Sequence, residues 1–423
     1  MDLTIDERRM TNEKFALGGI APQTIYTPRD APELAQILAQ CNSEKRAVVS
    51  WGGGTLQHIG NAPSQYNAVI QTTNLNQVVE YAFDDLTATF GAGMTLAEIE
   101  RVLNEHGQFL PLDVPHPERA TIGGVLASGV NGALRLRYGP ARDYMIGNRF
   151  ATVDGHIIKA GSKVVKNVAG YELHKVQVGA FGTLGILTEA TFKLFPKPPA
   201  EISLWASFDE LSNACAAVQP IWNLSTPPLA IELLDARTAR WIEPNTTGAW
   251  HIAARFGGSK ATMAAARDLF SNAAQENNAR SVEAIDDAKT LWSAIADLPA
   301  TLRENFSDAL LMRVSVPPKE LQNALRVLLD TPNAPRIFSH AAVASVYASF
   351  DGAYAAPETF VATLRARVHD LHGHLIVESA PASLKKNLYA WDDVGASFKL
   401  MQSLKRKFDP NNILNPGRFV GGI

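Results

Sequence analysis

Three glycine-rich stretches hold the residue types in this chain best suited to chemistry. Val48-Val49-Ser50-Trp51 runs into Gly52-Gly53-Gly54-Thr55. Pro115 leads to Thr121-Ile122-Gly123-Gly124 and on to Ala127-Ser128-Gly129. Gly179-Ala180-Phe181-Gly182 is followed by Gly185-Ile186. Glycine leaves backbone N–H groups open on a turn, which suits an approaching phosphate. Several such groups act together as a partial positive charge, so an uncharged loop is enough to hold an anion. Two familiar phosphate loops fail here. The GxxxxGK[ST] form needs a lysine that the stretch from Gly54 to Gly60 lacks. The GxGxxG form must open straight into a helix, and Gly60 and Pro63 interrupt the residues after Thr55. Alone, the first run reads equally well as a tight strand-to-loop turn without a ligand.

Rigid elements must position these loops. Asp30-Ala31-Pro32 reads as a helix start, with Leu34, Ile37 and Leu38 at helical spacing up to Cys41. Short apolar runs predict strands over 47–49, 68–70 and 87–90. A helix is expected over 96–106, with Ile99 and Leu103 on one face. Asp154-Gly155 marks a hairpin, and a strand follows over 186–195. Pro196-Lys197-Pro198-Pro199 is a natural boundary. Beyond it, strands over 202–208, 229–234, 250–255 and 310–316 and a helix over 260–277 are expected.

The 423 residues leave room for roughly two or three domains. A net charge of −3 argues against a nucleic-acid partner bound by bulk electrostatics. No apolar run approaches the ~20 residues that a transmembrane segment needs, and the start lacks a signal-peptide core. The expected location is cytoplasmic, with any membrane association supplied by partner subunits. The two cysteines, Cys41 and Cys215, form no CxxC pair. This excludes a disulfide framework, an all-cysteine zinc site and a four-thiolate iron–sulfur cluster within the chain.

The ordered motifs together resemble the FAD-binding domain of vanillyl-alcohol-oxidase-type (PCMH-type) flavoproteins over about residues 20–198. They are the Gly52 run, the Thr121 to Gly129 stretch, Tyr138-Gly139, Lys166 to Tyr171 and Gly182 to Ile186. Phe408-Asp409-Pro410 to Ile413-Leu414-Asn415-Pro416-Gly417 is similar to that family's C-terminal signature. Gly132-Ala133-Leu134-Arg135, Lys166 to Tyr171 and Leu371-His372-Gly373-His374 resemble the E-type FAD-binding subunits of bacterial glycolate oxidases.

The resemblance implies an α+β fold in three parts. A two-subdomain FAD-binding domain covers 1–198, a cap of mainly antiparallel sheet covers 199–380, and a C-terminal segment over 381–423 packs back on the FAD domain. It implies non-covalent FAD held by Gly52, Gly53, Gly54, Thr55, Pro115, Thr121, Ile122, Gly123, Gly124, Ser128, Gly129, Tyr138, Gly182, Gly185 and Ile186. His58 is the residue of the first loop considered for a covalent link. On the tail helix, Lys399, Lys405, Arg406 and Lys407 are expected to form a solvated face.

Hydroxy-acid dehydrogenases of this family often carry HxGDGNxH in the cap and EHG near the end, which bring a metal and a base to the substrate. In the comparable strand, His340 to Tyr347, Val343, Ser345 and Tyr347 replace the Asp, the Asn and the second His. Ser379 replaces the His after Glu378. His340 and Glu378 alone make a poor ligand set, so no metal is expected. His340 reads as an ordinary strand histidine, and His372 and His374 read as flanking a turn at Gly373. His251, Arg255, Arg313, His116, Arg119 and Arg142 could hold a carboxylate or take a proton, but each reads more readily as structural, and no catalytic residue is assigned. The resemblance therefore implies an FAD-bearing subunit of a glycolate-oxidase-like complex acting on a small 2-hydroxy acid. Its expected partners are a catalytic FAD-binding paralogue and an iron–sulfur subunit. A self-sufficient FAD-dependent oxidase or dehydrogenase of a small hydroxy acid or alcohol is the alternative.

Overall fold

The computed structural model describes residues 12–162, 172–306, 308–352, 356–385 and 387–423. The stretch from Lys166 to Tyr171 lies outside the described residues. The fold is α+β, and its first half holds two sheets. Strands Thr24–Tyr26, Ala68–Gln71 and Val48–Trp51 form a parallel three-stranded sheet with Ala68–Gln71 in the middle. Helix Ala31–Ser43 covers it, capped by Asp30, whose side chain accepts from the Glu33 amide at 2.9 Å. The second sheet is antiparallel, in the order Val78–Ala82, Thr87–Gly91, Ile186–Lys193, Met145–Ala151, Ile157–Gly161. Helix Leu96–Asn104 starts with a reciprocal cap between Thr95 and Glu98, and short helix Ile122–Ser128 packs beside it.

The second half is built on one eight-stranded antiparallel sheet. Its spatial order is Ser281–Ala284, Ala200–Phe208, Trp250–Gly258, Ala230–Asp235, Arg336–His340, Ser345–Phe350, Leu310–Ser315, His374–Ser379. Side chains alternate between the faces of a strand. Leu204, Ala206, Phe208, Met312, Val314 and Ala348 pack on one face under helices Leu211–Trp222, Lys260–Glu276, Leu321–Leu329 and Pro357–His369. Trp205, Leu234, Phe338 and Tyr347 pack on the other face against helix Ala288–Asn305, through Leu291, Trp292, Ile295 and Leu298. This face also looks toward the first half, and Ala133 joins its core.

Two expectations need correction. The segment from His340 to Tyr347 is not one strand. A 3-10 turn over Ala341–Val343 and Ala344 at φ 49° separate two antiparallel strands. The tail helix Ser397–Phe408 is also not uniformly solvated along its basic residues. Lys399, Arg406 and Lys407 are exposed, but Lys405 is buried. Its Nζ lies 2.7 Å from Asp409 Oδ2 and donates to the carbonyls of Leu414 at 2.7 Å and Thr183 at 3.2 Å. Burial lowers the lysine's pKa, and Asp409 opposes that shift. Asp409 in turn accepts from the amides of Ile413 and Leu414. The chain then runs back along the first sheet, where Val48 donates to the Ile413 carbonyl at 2.7 Å and Asn415 donates to the Val48 carbonyl at 2.8 Å.

Candidate functional site

A cleft of about 790 Å³, partly open to solvent, lies between the two sheets of the first half. The loop after Val48–Trp51, the helix Ile122–Ser128, the Phe181 to Leu187 segment and the returning tail all contribute walls. Gly52, Gly53, Gly54, Thr55, Thr121, Gly123, Gly124, Ser128, Gly182, Gly185 and Ile186 line it together. Gly129 and Pro115 instead line an adjoining chamber. Ile122 is fully buried in the core, with its amide donating to Met94, and Tyr138 packs edge-on against Phe109 and Phe195 outside the cleft lining.

The glycines have different reasons to be glycine. A Cβ on Gly53 would lie 1.6 Å from the Arg119 carbonyl oxygen, and one on Gly52 would lie 2.0 Å from Thr121 Oγ1. A Cβ on Gly182, at φ +65°, would meet Asn415 and Ser50 within 2.8 Å. At these positions the protein's own chain makes the close approach. Gly124 differs, because its Cβ would touch only Thr121 Oγ1, at 3.2 Å, and otherwise enter the cleft.

The lining fits a long anionic ligand such as FAD. Among the described residues, the lining contains no Asp or Glu and one cation, Arg418. Among the described residues, the amides of Gly52, Gly53, Gly54 and Thr55 donate to no other protein group. The Arg418 guanidinium donates to Gln57 and to the Ile59 carbonyl, but its buried Nε has no partner, and neither has the buried Oδ1 of Asn415. Burial lowers Arg418 to about 10, so it stays charged at neutral pH. Asn415 and Arg418 are not among the cofactor residues expected from sequence, although the tail signature runs through Asn415 and ends beside Arg418. Among the described residues, the cleft lining has no His, Cys or Tyr. His58 sits on the chamber side, where Arg303 donates to its Nδ1 at 2.7 Å and Lys385 donates to its carbonyl oxygen. Burial, then Arg303, Lys385 and Arg418, push its pKa well below the ordinary value.

Thr55 and Leu56 line both the cleft and one part of the chamber, and Ser128 and Phe181 line both the cleft and the other part, so the two spaces adjoin across shared walls. The chamber lies between the halves and gathers Asp113, Asn131, Arg135, Arg313, His340, Tyr347 and Glu378. Strand register sets its wall. Glu232 pairs across the sheet with His340, and Arg313 with Tyr347. Glu378 is the extra residue of a β-bulge opposite Leu311 and Met312; a bulge re-aims a side chain, and this one brings Glu378 to 2.6 Å from Arg313 Nε. His340 Nδ1 lies 2.9 Å from Glu232 Oε1. Burial alone lowers the His340 pKa, but Glu232 outweighs it and holds the imidazole above its ordinary value. Burial likewise raises Asp113 to about 6.

The chamber does not fit the family's metal. Of the motif positions, only His340 and Glu378 retain ligand side chains, and each is engaged by its own charged partner. Sequence reading treated His340 as an ordinary strand residue and missed Glu232. A lone Glu inside the apolar 229–234 run was the available signal. The other candidates are dispersed. His251 is buried against Trp205, bonds Ser207 and is lowered to about 4 by burial. Arg255 pairs with Glu201, His116 with Glu304, and Arg119 and Arg142 are exposed.

Comparison with known proteins adds to this geometry. Residues 22–161 match the family model described as FAD binding domain, and residues 197–419 match that of FAD linked oxidases, C-terminal domain. The chain is 28% identical to glycolate oxidase subunit GlcD of Bacillus subtilis, over 94% of this chain and 88% of that protein. It is 29% identical to glycolate oxidase subunit GlcE of Escherichia coli, over 92% and 97%. It is 28% identical to a D-lactate dehydrogenase of Archaeoglobus fulgidus, over 94% and 91%. The similarity thus reaches glycolate oxidase subunits without singling out the E type. Among solved structures, alkyldihydroxyacetonephosphate synthase superposes with a TM-score of 0.69 at 19% identity, over 94% of this chain and 77% of that one. Para-cresol methylhydroxylase also gives 0.69, at 16% identity, over 94% and 88%. These two share the fold.

Proposed function

Because the chain belongs to the FAD-linked oxidases, a family of FAD-dependent oxidoreductases, we propose that it holds one non-covalent FAD in the cleft and serves the oxidation of a small 2-hydroxy acid such as glycolate. In this reading it is the E-type FAD-binding subunit of a glycolate-oxidase-like complex. The observation that carries the reading is the adjacency of the cleft to a chamber lined by Arg313 and by His340, whose imidazole bonds Glu232. Residues 1–198 bind the cofactor, 199–380 cap it, and 381–423 close the cleft from behind.

When bound, FAD supplies a two-electron acceptor that no side chain offers. The amides of Gly52 to Thr55 and the Arg418 guanidinium would hold its pyrophosphate, and Gly124 would leave the cleft open for it. In the chamber, Arg313 binds the substrate carboxylate through N–H groups not bonded to Glu378, as a planar guanidinium fork allows. His340 exchanges a proton at Nε2, the nitrogen that Glu232 does not engage. Helix Ala288–Asn305 and Trp391 wall the chamber. Arg313 and His340 are each already paired with a carboxylate of the protein, which offsets their positive charge and weakens their hold on a substrate anion; this favours a subunit role. With only Cys41 and Cys215, both free, the chain holds no four-thiolate cluster, so electrons leave to another chain or a diffusible acceptor, and the proposed acceptor is an iron–sulfur subunit. Among the described residues, no helix is long and apolar enough to cross a membrane.

Acid precipitation of the purified chain should release all flavin into the supernatant; yellow colour retained in the pellet would refute non-covalent attachment. Gly124→Val should fold normally and bind FAD roughly ten- to hundredfold more weakly, because overpacking costs about 1–3 kcal/mol. Gly53→Val should instead disturb the 119–121 loop and lower thermal stability as well. If Gly124→Val titrates with FAD as the parent does, the cofactor does not lie against this helix.

A further inference from the structure

We propose that His369, His374 and Asp392 form a binding site for one divalent transition-metal ion of the zinc type, at the outer edge of the cap sheet. The three residues come from three segments. His369 ends helix Pro357–His369, His374 opens the edge strand His374–Ser379, and Asp392 lies on the segment that returns to the first half. One ligand atom from each lies within 4.8 Å of the other two. His369 Nε2 is 2.9 Å from Asp392 Oδ2, and His374 Nδ1 is 3.6 Å from the same oxygen.

Zinc binds imidazole nitrogen and carboxylate oxygen at about 2.0–2.2 Å, so two ligands on one tetrahedral ion lie roughly 3.3 Å apart. The two imidazole–carboxylate distances, 2.9 and 3.6 Å, bracket that value. Both imidazoles are turned to this one carboxylate, and His369 Nε2 also lies 3.0 Å from Asp392 Oδ1. The carboxylate is also oriented. Its side chain is 6% exposed and accepts from the amides of Leu375 at 2.8 Å and Asp393 at 2.9 Å, the outer hydrogen bonding that fixes metal ligands. The histidines are 45% and 67% exposed, which leaves the outer side open for a water as fourth ligand. The nearby cation, Arg365, is committed to the carbonyls of Leu375 and Tyr389. The ion would clip the edge strand, which carries Glu378 toward the chamber near its far end, to the returning segment. This site is separate from the motif positions at His340 and Glu378.

The test loads the purified flavoprotein with Zn²⁺, removes excess by dialysis, and measures bound metal by atomic emission and the melting temperature with and without metal. One Zn²⁺ per chain and a raised melting temperature are expected. The His369→Ala/His374→Ala double variant should bind Zn²⁺ at least about tenfold more weakly, with no metal-dependent melting shift and unchanged flavin content. His374→Gln, at the more exposed position, gives the same readout if the double variant does not fold. A parent chain that retains no Zn²⁺, or variants that retain as much as the parent, would overturn the proposal.

Discussion

Assayed alone with glycolate or D-lactate and an artificial dye, the purified chain is expected to turn over about 10²–10⁴-fold more slowly than the same chain co-expressed with a metal-motif FAD-binding paralogue and an iron–sulfur subunit, the range that a positioned acid or base contributes. The reason lies in the chamber. The groups that could hold a carboxylate or accept a hydroxyl proton, Arg313 and His340, are already bonded to Glu378 and Glu232 at 2.6 and 2.9 Å. Burial pushes the Tyr347 hydroxyl pKa up, so it does not ionise to serve as a base. Flavin reduction by dithionite in the isolated chain should still be complete, which separates a weak substrate site from a missing cofactor. Comparable turnover by the isolated chain would favour the self-sufficient oxidase. In that case Arg313→Met should abolish the activity.

The second large effect concerns the tail. Lys405→Met should destabilise the protein by about 3–5 kcal/mol, the usual result of removing one member of a buried ion pair. The substitution removes the donor to Asp409 and to the carbonyls of Leu414 and Thr183, and leaves a carboxylate that is 1% exposed without its cation. Arg406→Met, one residue along on the exposed face of the same helix, should change stability by no more than about 0.5 kcal/mol. Urea unfolding followed by far-UV dichroism measures both. The tail also carries Asn415 and Arg418 into the cleft, so Lys405→Met should weaken FAD retention in parallel. Equal midpoints for the two variants would show that the buried pair does not anchor the tail.

Much of this architecture is legible locally. The strands at Val48–Trp51, Ala68–Gln71, Thr87–Gly91 and Trp250–Gly258 are short apolar runs, and their burial follows from composition. The turn at Asp154-Gly155 forms where expected, with Gly155 at φ +84°. The glycine clusters mark loops because only a residue without a Cβ tolerates those contacts and dihedrals, and most of the glycines named for the cofactor do meet in one cleft.

Other features depend on groups far apart in the chain. No spacing rule pairs Glu232 with His340 across 108 residues, because that contact follows from which strands become neighbours in the sheet. The bulge that turns Glu378 to Arg313 is a one-residue slip in pairing. Lys405 looks like its basic neighbours until helix Ser397–Phe408 docks and one side of it is enclosed. Asp392 meets His369 and His374 only because the chain returns past the sheet edge. The glycine runs were read as room for a ligand, yet Gly52, Gly53 and Gly182 mainly make room for Thr121, Arg119 and Asn415. Local sequence sets dihedral preference and the alternation of apolar side chains, which are short-range. Burial of a charge, its partner and the walls of a cavity are set by docking and register, which are long-range, and in this protein those determine the chemistry of the chamber.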